Sequence, residues 1–275
     1  MQITSHSAES IRAMSYNELI GLIRETNRTP GGNETVFQVA RRLFINPHSN
    51  VLDIGTSTGA TALEFSRLTG CSVTGIDINE QSLIEACRRA SALGANRVRF
   101  ERHDARALPF ADASFDLVFC GNVTSLIDEG ERAFAEYRRV VRFGGYVCAV
   151  PMYYVENPPA DMVDDVRAAI KVPIEIKFRD DAVGFFSSPD LELYDTIDFR
   201  FHNLPEQRVI AFSEKMLRQP HLQVLSQDAQ AALQEVYTRY LLLFRRNLSY
   251  MGYTIVILRR AAFQEDPVLF TSSRS

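Results

Sequence analysis

Between residues 51 and 150 the apolar positions come in short runs of strand length, separated by stretches with helical spacing. Val51–Ile54, Ser72–Ile76, Arg97–Phe100, Phe115–Cys120 and Tyr146–Val150 read as five strands. Leu63 and Phe65 mark the first intervening helix. Asn79 opens the second, with Leu83, Ile84, Cys87 and Leu93 inward and Gly94 closing it, and Glu129–Val141 is the third. Strands alternating with helices of this length predict βαβ units and an α/β fold whose parallel sheet is covered on both faces.

The flanks are patterned differently. Ser15-Tyr-Asn-Glu18 has capping-box spacing and starts a short helix through Leu19, Leu22 and Ile23. Asn27-Arg-Thr-Pro-Gly-Gly32 breaks it. Asn33 then caps a helix with the stripe Val36, Phe37, Ala40, Leu43 and Phe44, which Pro47 ends. Downstream, Leu193–Phe201 predicts a sixth strand and Tyr253–Leu258 a last one. Glu206–Leu217 and Gln227–Asn247 predict helices, the latter through Ala231, Leu233, Val236, Tyr240 and Phe244. The resulting division is a helical cap at 1–45, a core at 46–150, a substrate-covering insertion at 151–250, the final core strand at 251–262 and a fraying tail at 263–275.

Composition narrows the classes. With 46% apolar and 23% charged residues over 275 positions, the chain is neither disordered nor a small disulfide scaffold. A net charge of −4 gives no reason to expect nucleic acid or an anionic membrane as partner. The longest apolar runs are far short of the roughly 20 residues of a membrane span. The first residues show no basic segment followed by an apolar one, so a cytoplasmic location is expected. Cys71, Cys87, Cys120 and Cys148 are widely separated and the five histidines are scattered, so no metal site is expected.

The chemistry concentrates in Val51-Leu-Asp53-Ile-Gly55-Thr56-Ser57-Thr-Gly59. A glycine turn between strand and helix lets backbone N–H groups approach a ligand closely. A dinucleotide site wants G-x-G-x-x-G, whereas here Ser57 takes the middle position and Asp53 lies two residues before the first glycine. A carboxylate there repels a pyrophosphate and attracts an ammonium group.

This segment resembles the first motif of class I S-adenosylmethionine-dependent methyltransferases, and four later segments resemble the others in order. Thr74-Gly-Ile-Asp77-Ile78-Asn is similar to the second motif, His103-Asp104-Ala105-Arg106-Ala-Leu-Pro109-Phe110 to the third, and Phe115-Asp-Leu-Val-Phe-Cys-Gly121-Asn122 to the fourth. Arg138-Arg-Val-Val-Arg-Phe-Gly144-Gly145 resembles the turn before strand five. The resemblance implies a Rossmann-like, doubly wound, mostly parallel seven-stranded sheet with a helical insertion or lid, binding S-adenosylmethionine. It implies that the loop of Gly55, Thr56, Ser57 and Gly59 approaches the cofactor beside Asp53. Asp77 would accept from the ribose hydroxyls and Ile78 would pack on adenine. Asp104 and the Ala105 backbone would lie near the adenine edge, and Gly121 and Asn122 would face the methionine portion.

In doubly wound sheets ligands lie beyond the carboxyl ends of the strands. The methyl group would then face the ends of strands four and five, making Asn122, Tyr153, Tyr154 and Glu156 candidates to face an acceptor. A base is needed only if the acceptor still carries a proton, and Glu156, His202 or a tyrosine are the candidates. Asn157-Pro158-Pro159 imitates the tetrapeptide of nucleobase amino-methyltransferases, but it follows strand five and Ala160 replaces the stacking aromatic. Residues 151–250 form either a lid or a homodimer interface. Their eleven acids against four bases over 156–198 suit a cationic or amine substrate, or simply a solvated surface. Thr29-Pro-Gly-Gly-Asn33 is either a carboxylate-holding helix start or an ordinary turn.

The expected function is methyl transfer to nitrogen or oxygen of a small-molecule acceptor in specialised metabolism. The competing readings are a protein or RNA acceptor, a nicotinamide-dependent oxidoreductase, and a non-catalytic module that keeps the sheet.

Overall fold

The protein is described by a computed structural model covering residues 6–26, 28–171 and 175–261; the tail at 263–275 lies outside the described residues. Val51, Leu52 and Ile54 are buried on both faces of β1 (Asn50–Ile54), so this strand belongs in mid-sheet. It pairs in parallel with β2 (Ser72–Asp77) on one side and β4 (Phe115–Cys120) on the other, and β3 (Val98–Arg102) extends the sheet beyond β2. β5 (Val141–Ala149) lies parallel to β4, starting five residues earlier than the apolar run suggests, with a register shift between Phe115 and Leu117 on its partner.

The last strand, β8 (Met251–Arg260), runs antiparallel between β5 and β7 (Leu191–Arg200). After Val150 and Pro151 the fifth strand resumes as β6 (Met152–Tyr154), which pairs with the other end of β8. Pro151 has no N–H to donate, which accounts for the break. Because β7 occupies one whole edge of β8, β5 and β6 share the other. The eight strands therefore fill seven positions, and the expected mostly parallel seven-stranded sheet is what the chain builds.

Alternation along each strand sends residues to two cores. On one face, Val51, Phe119, Cys148, Ile255 and Ile257 pack against Val36 and Val39 of α3 (Asn33–Arg42) and Ala62 and Phe65 of α4 (Ala60–Thr69). On the other, Leu52, Val118, Val147 and Val256 meet Phe134, Tyr137 and Val140 of α6 (Gly130–Val140). A third cluster joins α1 (Ala8–Arg12) and α2 (Tyr16–Ile23) to α10 (Gln227–Leu248) through Ile11, Leu19, Ile23, Leu233, Val236 and Tyr237. The capping box at Ser15 and Glu18 forms as expected.

Several helical stripes are narrower than the sequence suggests. In α5 (Glu80–Leu93) Leu83 and Ala86 are buried, whereas Ile84, Cys87 and Leu93 are exposed. Ile84 lies about 100° around the helix from Leu83 and cannot share its face. In α3, Phe37 is exposed, and Phe44 falls after the helix at φ 51° with 81% of its surface exposed. Asn33 is inside α3, whose N-cap is Gly32. In α10, Ala229, Ala232, Leu233, Val236 and Tyr237 form the buried stripe, and Ala231 faces out.

The helical cover is tied to the core by polar contacts as well. Tyr237 Oη donates to Glu25 Oε2 at 2.8 Å, and Thr58 Oγ1 in the glycine turn donates to the Glu25 carbonyl at 3.3 Å. Burial pushes the Glu25 carboxyl above its ordinary range, so each donor to it counts. Tyr237→Phe is expected to lower unfolding stability by about 1–3 kcal/mol, the cost of a buried carboxylate left short of a donor. Urea denaturation of the two proteins side by side measures it; equal stabilities would mean that water replaces the hydroxyl without loss.

Candidate functional site

β1, β2 and β4 end at one edge of the sheet, and the turn from β1 into α4 lies on that edge. Gly55 (φ 68°), Ser57 (φ 50°) and Gly59 (φ 81°) are all left-handed, a path that glycine takes without the strain other residues incur. Space also demands glycine here. A Cβ on Gly55 would lie 2.6 Å from Val123 Cγ2, and one on Gly59 2.6 Å from Phe100 Cζ. The Thr56 N–H donates to the Ile76 carbonyl at 2.9 Å, joining the turn to β2.

Two carboxylates hold this turn. Asp53 is buried and accepts from Thr56 Oγ1 at 2.6 Å. Burial pushes its carboxyl up to about 7; the Thr56 hydrogen bond opposes that shift and the Asp77 charge adds to it. Asp77, at the end of β2, accepts from the Ser57 N–H at 2.9 Å through Oδ2 and from the Asn79 N–H at 2.8 Å through Oδ1. A carboxylate offers about four lone-pair sites, so each oxygen keeps one for a ligand hydroxyl. Beside it Ile78 is 68% exposed, an apolar side chain lying open at the same edge.

Asp104 is taken up by Arg106, which donates from its backbone N at 2.9 Å and from Nη2 at 2.7 Å. These hydrogen bonds hold the Asp104 carboxyl below its usual range. Ala105 is buried. Asn122 Oδ1 accepts from the Met152 N–H at 3.0 Å, bracing the end of β4 against the start of β6.

Thr29 completes the edge. A Cβ on Gly121 would lie 3.1 Å from Thr29 Oγ1, so this hydroxyl sits directly over the carboxyl end of β4. It is buried and has no hydrogen-bond partner among the described residues. The N-terminus of α3 is close by in sequence and carries no side-chain cap. A buried orphan hydroxyl beside an uncapped helix start fits a polar, carboxylate-bearing ligand portion.

The candidates for a base, Tyr153, Tyr154, Glu156 and His202, do not converge. Tyr153 Oη lies 3.0 Å from Thr254 Oγ1, while Tyr154 Oη donates to Asn247 Oδ1 of α10 at 2.9 Å, on the opposite side of the strand. Burial pushes both phenols up, away from the ionised form a base requires. Glu156 and His202 are exposed.

One support of the site gives no signal in the sequence. Arg89 of α5 donates to Thr58 Oγ1 at 3.0 Å and to the Arg24 carbonyl at 2.9 Å. Glu85 holds its guanidinium at 2.9 Å. Burial pushes the Glu85 carboxyl up, but hydrogen bonds from Arg88 and Arg89 outweigh that and keep it at about 2. A salt bridge one helical turn long thereby fastens the glycine turn to the N-terminal helices.

Asp53 also sets a pH signature. A folded-state pKa near 7 lies above the unfolded value, so the folded protein binds the extra proton and loses stability as pH rises from about 4 through about 7. Asp53→Asn removes that loss. The melting temperature of the variant relative to the parent is expected to be higher at about pH 8 than at about pH 5; a difference independent of pH would show that Asp53 is ionised throughout.

The family profile described as a methyltransferase domain matches residues 51–145. The ubiquinone/menaquinone biosynthesis C-methyltransferase UbiE of Paracoccus denitrificans (strain Pd 1222) is 30% identical over 189 residues, 66% of this chain and 71% of that protein. The crystal structure of MccD protein superposes with a TM-score of 0.70 at 26% identity, covering 85% of this chain and 100% of that one. A geranyl diphosphate methyltransferase in complex with SAM shares the fold, with a TM-score of 0.57 at 18% identity over 84% of this chain and 86% of its own. With its sheet order, its glycine turn and these relatives, the chain belongs to the class I S-adenosylmethionine-dependent methyltransferases.

Proposed function

We propose that the edge formed by the β1–α4 turn, Asp77 and Thr29 holds S-adenosylmethionine and that the acceptor is a small molecule. The observation that carries the first part is Asp77, whose two oxygens each retain a lone pair after bonding the Ser57 and Asn79 N–H groups. These accept from the two ribose hydroxyls. Ile78 covers one face of adenine, and the Ala105 backbone lies at the adenine edge. Asp104 orders that loop through Arg106. The backbone of Gly55, Thr56, Ser57 and Gly59 lines the path between ribose and methionine. Asp53 accepts, through Thr56 or water, from the methionine ammonium, while Thr29 and the start of α3 meet its carboxylate. Gly121 and Asn122 flank the same portion.

The bound cofactor supplies a methyl group on a sulfonium, already activated for displacement. The chain's part is to align it, exclude water and admit an acceptor lone pair in line with the carbon–sulfur bond. With both tyrosines of β6 held protonated, neither takes the acceptor's proton, which passes to water.

A small-molecule acceptor is supported by the names of the relatives, which concern a quinone pathway and geranyl diphosphate, and by the acidic balance of the chain. Nitrogen or oxygen is the proposed atom; the UbiE relative is named a C-methyltransferase, which makes carbon the competing reading. Among the described residues no helix is long and apolar enough to cross a membrane. All four cysteines are free thiols, which suits the reducing cytoplasm.

Calorimetric titration tests the reading. S-adenosylmethionine and S-adenosylhomocysteine are expected to bind saturably at one site and NADH not at all. Asp77→Ala is expected to weaken both ligands by about 1–3 kcal/mol through lost hydrogen bonds. Unchanged affinity in the folded variant would remove Asp77 from the site.

A further inference from the structure

The helical cover brings a carboxylate to the carboxyl edge of the sheet. α2 ends at Arg24, which is left-handed at φ 55°, and the Glu25 N–H turns back to the Ile20 carbonyl at 3.1 Å. Glu25 thereby leaves the helix at a fixed point on the glycine turn, where its own carbonyl accepts from Thr58 Oγ1 at 3.3 Å. Thr29, a little further along the chain, stands against Gly121. Glu25 and Thr29 are therefore placed at the ends of two neighbouring strands, β1 and β4. A glutamate side chain keeps its carboxylate within a few ångströms of its own backbone, so the Glu25 carboxylate belongs to the space over this edge.

That carboxylate has phenols for partners and no cation. Tyr237 Oη donates to Oε2, and the Tyr16 hydroxyl bears on the same group. Both bonds oppose the upward push of burial without cancelling it. Arg28 acts on Glu25 through its charge from farther off, and Glu25 forms no ion pair among the described residues. Buried carboxylates are ordinarily paired, so this one stands short of a counter-ion. A carboxylate offers about four lone-pair sites, and two hydroxyls leave some of them open. Rings stand beside it: Tyr16 meets Phe244 of α10 edge-on, with centroids 4.5 Å apart, and Tyr240 at 6.2 Å. Burial pushes the Tyr16 phenol up as it does the Glu25 carboxyl, yet Tyr16, Glu25 and Phe244 all keep part of their surface open. Groups this deep with surface still open line a recess rather than a packed core.

We propose that this recess is an acceptor subsite for an organic ammonium group, with Glu25 as the counter-ion and the Tyr16 ring as its aromatic wall. The proposal rests on the reading of the β1–α4 edge as the cofactor site. The carboxylate supplies charge, and an aromatic face attracts the same cation through its ring electrons. An ammonium nitrogen has no lone pair to give. The atom that is methylated is therefore a second one on the same acceptor, a hydroxyl oxygen or a neutral nitrogen. Glu25 thus selects the acceptor and takes no proton from it: the cover reads one end of the molecule while the other lies at the strand ends.

The test is calorimetric titration of the full chain, saturated with S-adenosylhomocysteine, using tyramine, the uncharged 4-ethylphenol and the anionic 3-(4-hydroxyphenyl)propionate. The parent is expected to bind tyramine at one site about tenfold or more tighter than 4-ethylphenol, and the propionate not at all. Glu25→Gln still accepts from Tyr237; in this variant tyramine is expected to fall to the level of 4-ethylphenol while S-adenosylhomocysteine affinity holds. Tyramine bound by the parent no tighter than 4-ethylphenol overturns the proposal, and that comparison does not depend on the variant's folding. Tyramine affinity undiminished in Glu25→Gln also overturns it, and a fall in S-adenosylhomocysteine affinity alone then assigns the carboxylate to the cofactor's own ammonium. Failure of S-adenosylhomocysteine itself to bind the parent overturns the cofactor reading instead, so the two failures are told apart.

Discussion

The arrangement depends on negative charge gathered behind one glycine turn. Asp53 and Asp77 stand at the ends of adjacent strands, each repelling the other, and the turn between them survives because Thr56 and the Ser57 N–H give both carboxylates a donor. In water such a pair would simply solvate. Here Asp53 is buried, and its carboxyl becomes an expensive anion that a bound cation would relieve. The sheet thus presents an edge prepared for a positively charged ligand, which is what a sulfonium with an ammonium group is. The left-handed glycines are the geometric condition for this, since any bulkier path would carry the N–H groups away from Asp77.

The same turn anchors the helical cover. Thr58 faces away from the carboxylates and reaches both Arg89 and the Glu25 carbonyl, so the N-terminal helices, α5 and the turn share one set of hydrogen bonds. Glu25 passes the connection to α10 through Tyr237. The cover is therefore positioned by polar bonds at its foot and by an apolar cluster of its own above, separate from the two cores of the sheet. A change of a few tenths of an ångström at Thr58 would be felt by both the glycine turn and the helices bonded to it.

Much of the sheet was legible in the sequence because a parallel strand buried on both faces must be a short unbroken apolar run. Phe115–Cys120 carries that signal with Asp116 as its single polar position, and its bounds agree with β4. The glycine turn was legible for a different reason: its conformation restricts which residues can occupy it. Helical faces were harder, since Ile84 and Leu93 sit at helical spacing yet point to solvent; spacing names a stripe but not its width. The acceptor side was the least legible. Tyr153 and Tyr154 are neighbours in sequence and go to opposite faces, and the partners that define them, Thr254 and Asn247, lie about a hundred positions away. Thr29 stood out only within a segment that reads equally as a carboxylate-holding helix start or an ordinary turn, because an orphan hydroxyl is a property of three-dimensional neighbours. Arg89 belongs to no motif, and its sequence neighbours do not distinguish it from a solvated helical arginine.

The position of β8 has a bearing on how the protein comes into being. It separates β5 and β6 from β7, and every one of these partners precedes it along the chain. During synthesis the parallel half, β1 to β5, can collapse as soon as it leaves the ribosome, from contacts that are comparatively local. Until β8 arrives, however, β5 presents an open edge of unpaired backbone groups and β7 has nothing to pair with. The nascent molecule therefore passes through a stage with a finished parallel half and an adhesive rim. Chaperone demand and sensitivity to translation speed should both be concentrated in the interval between the emergence of Ala149 and that of Arg260.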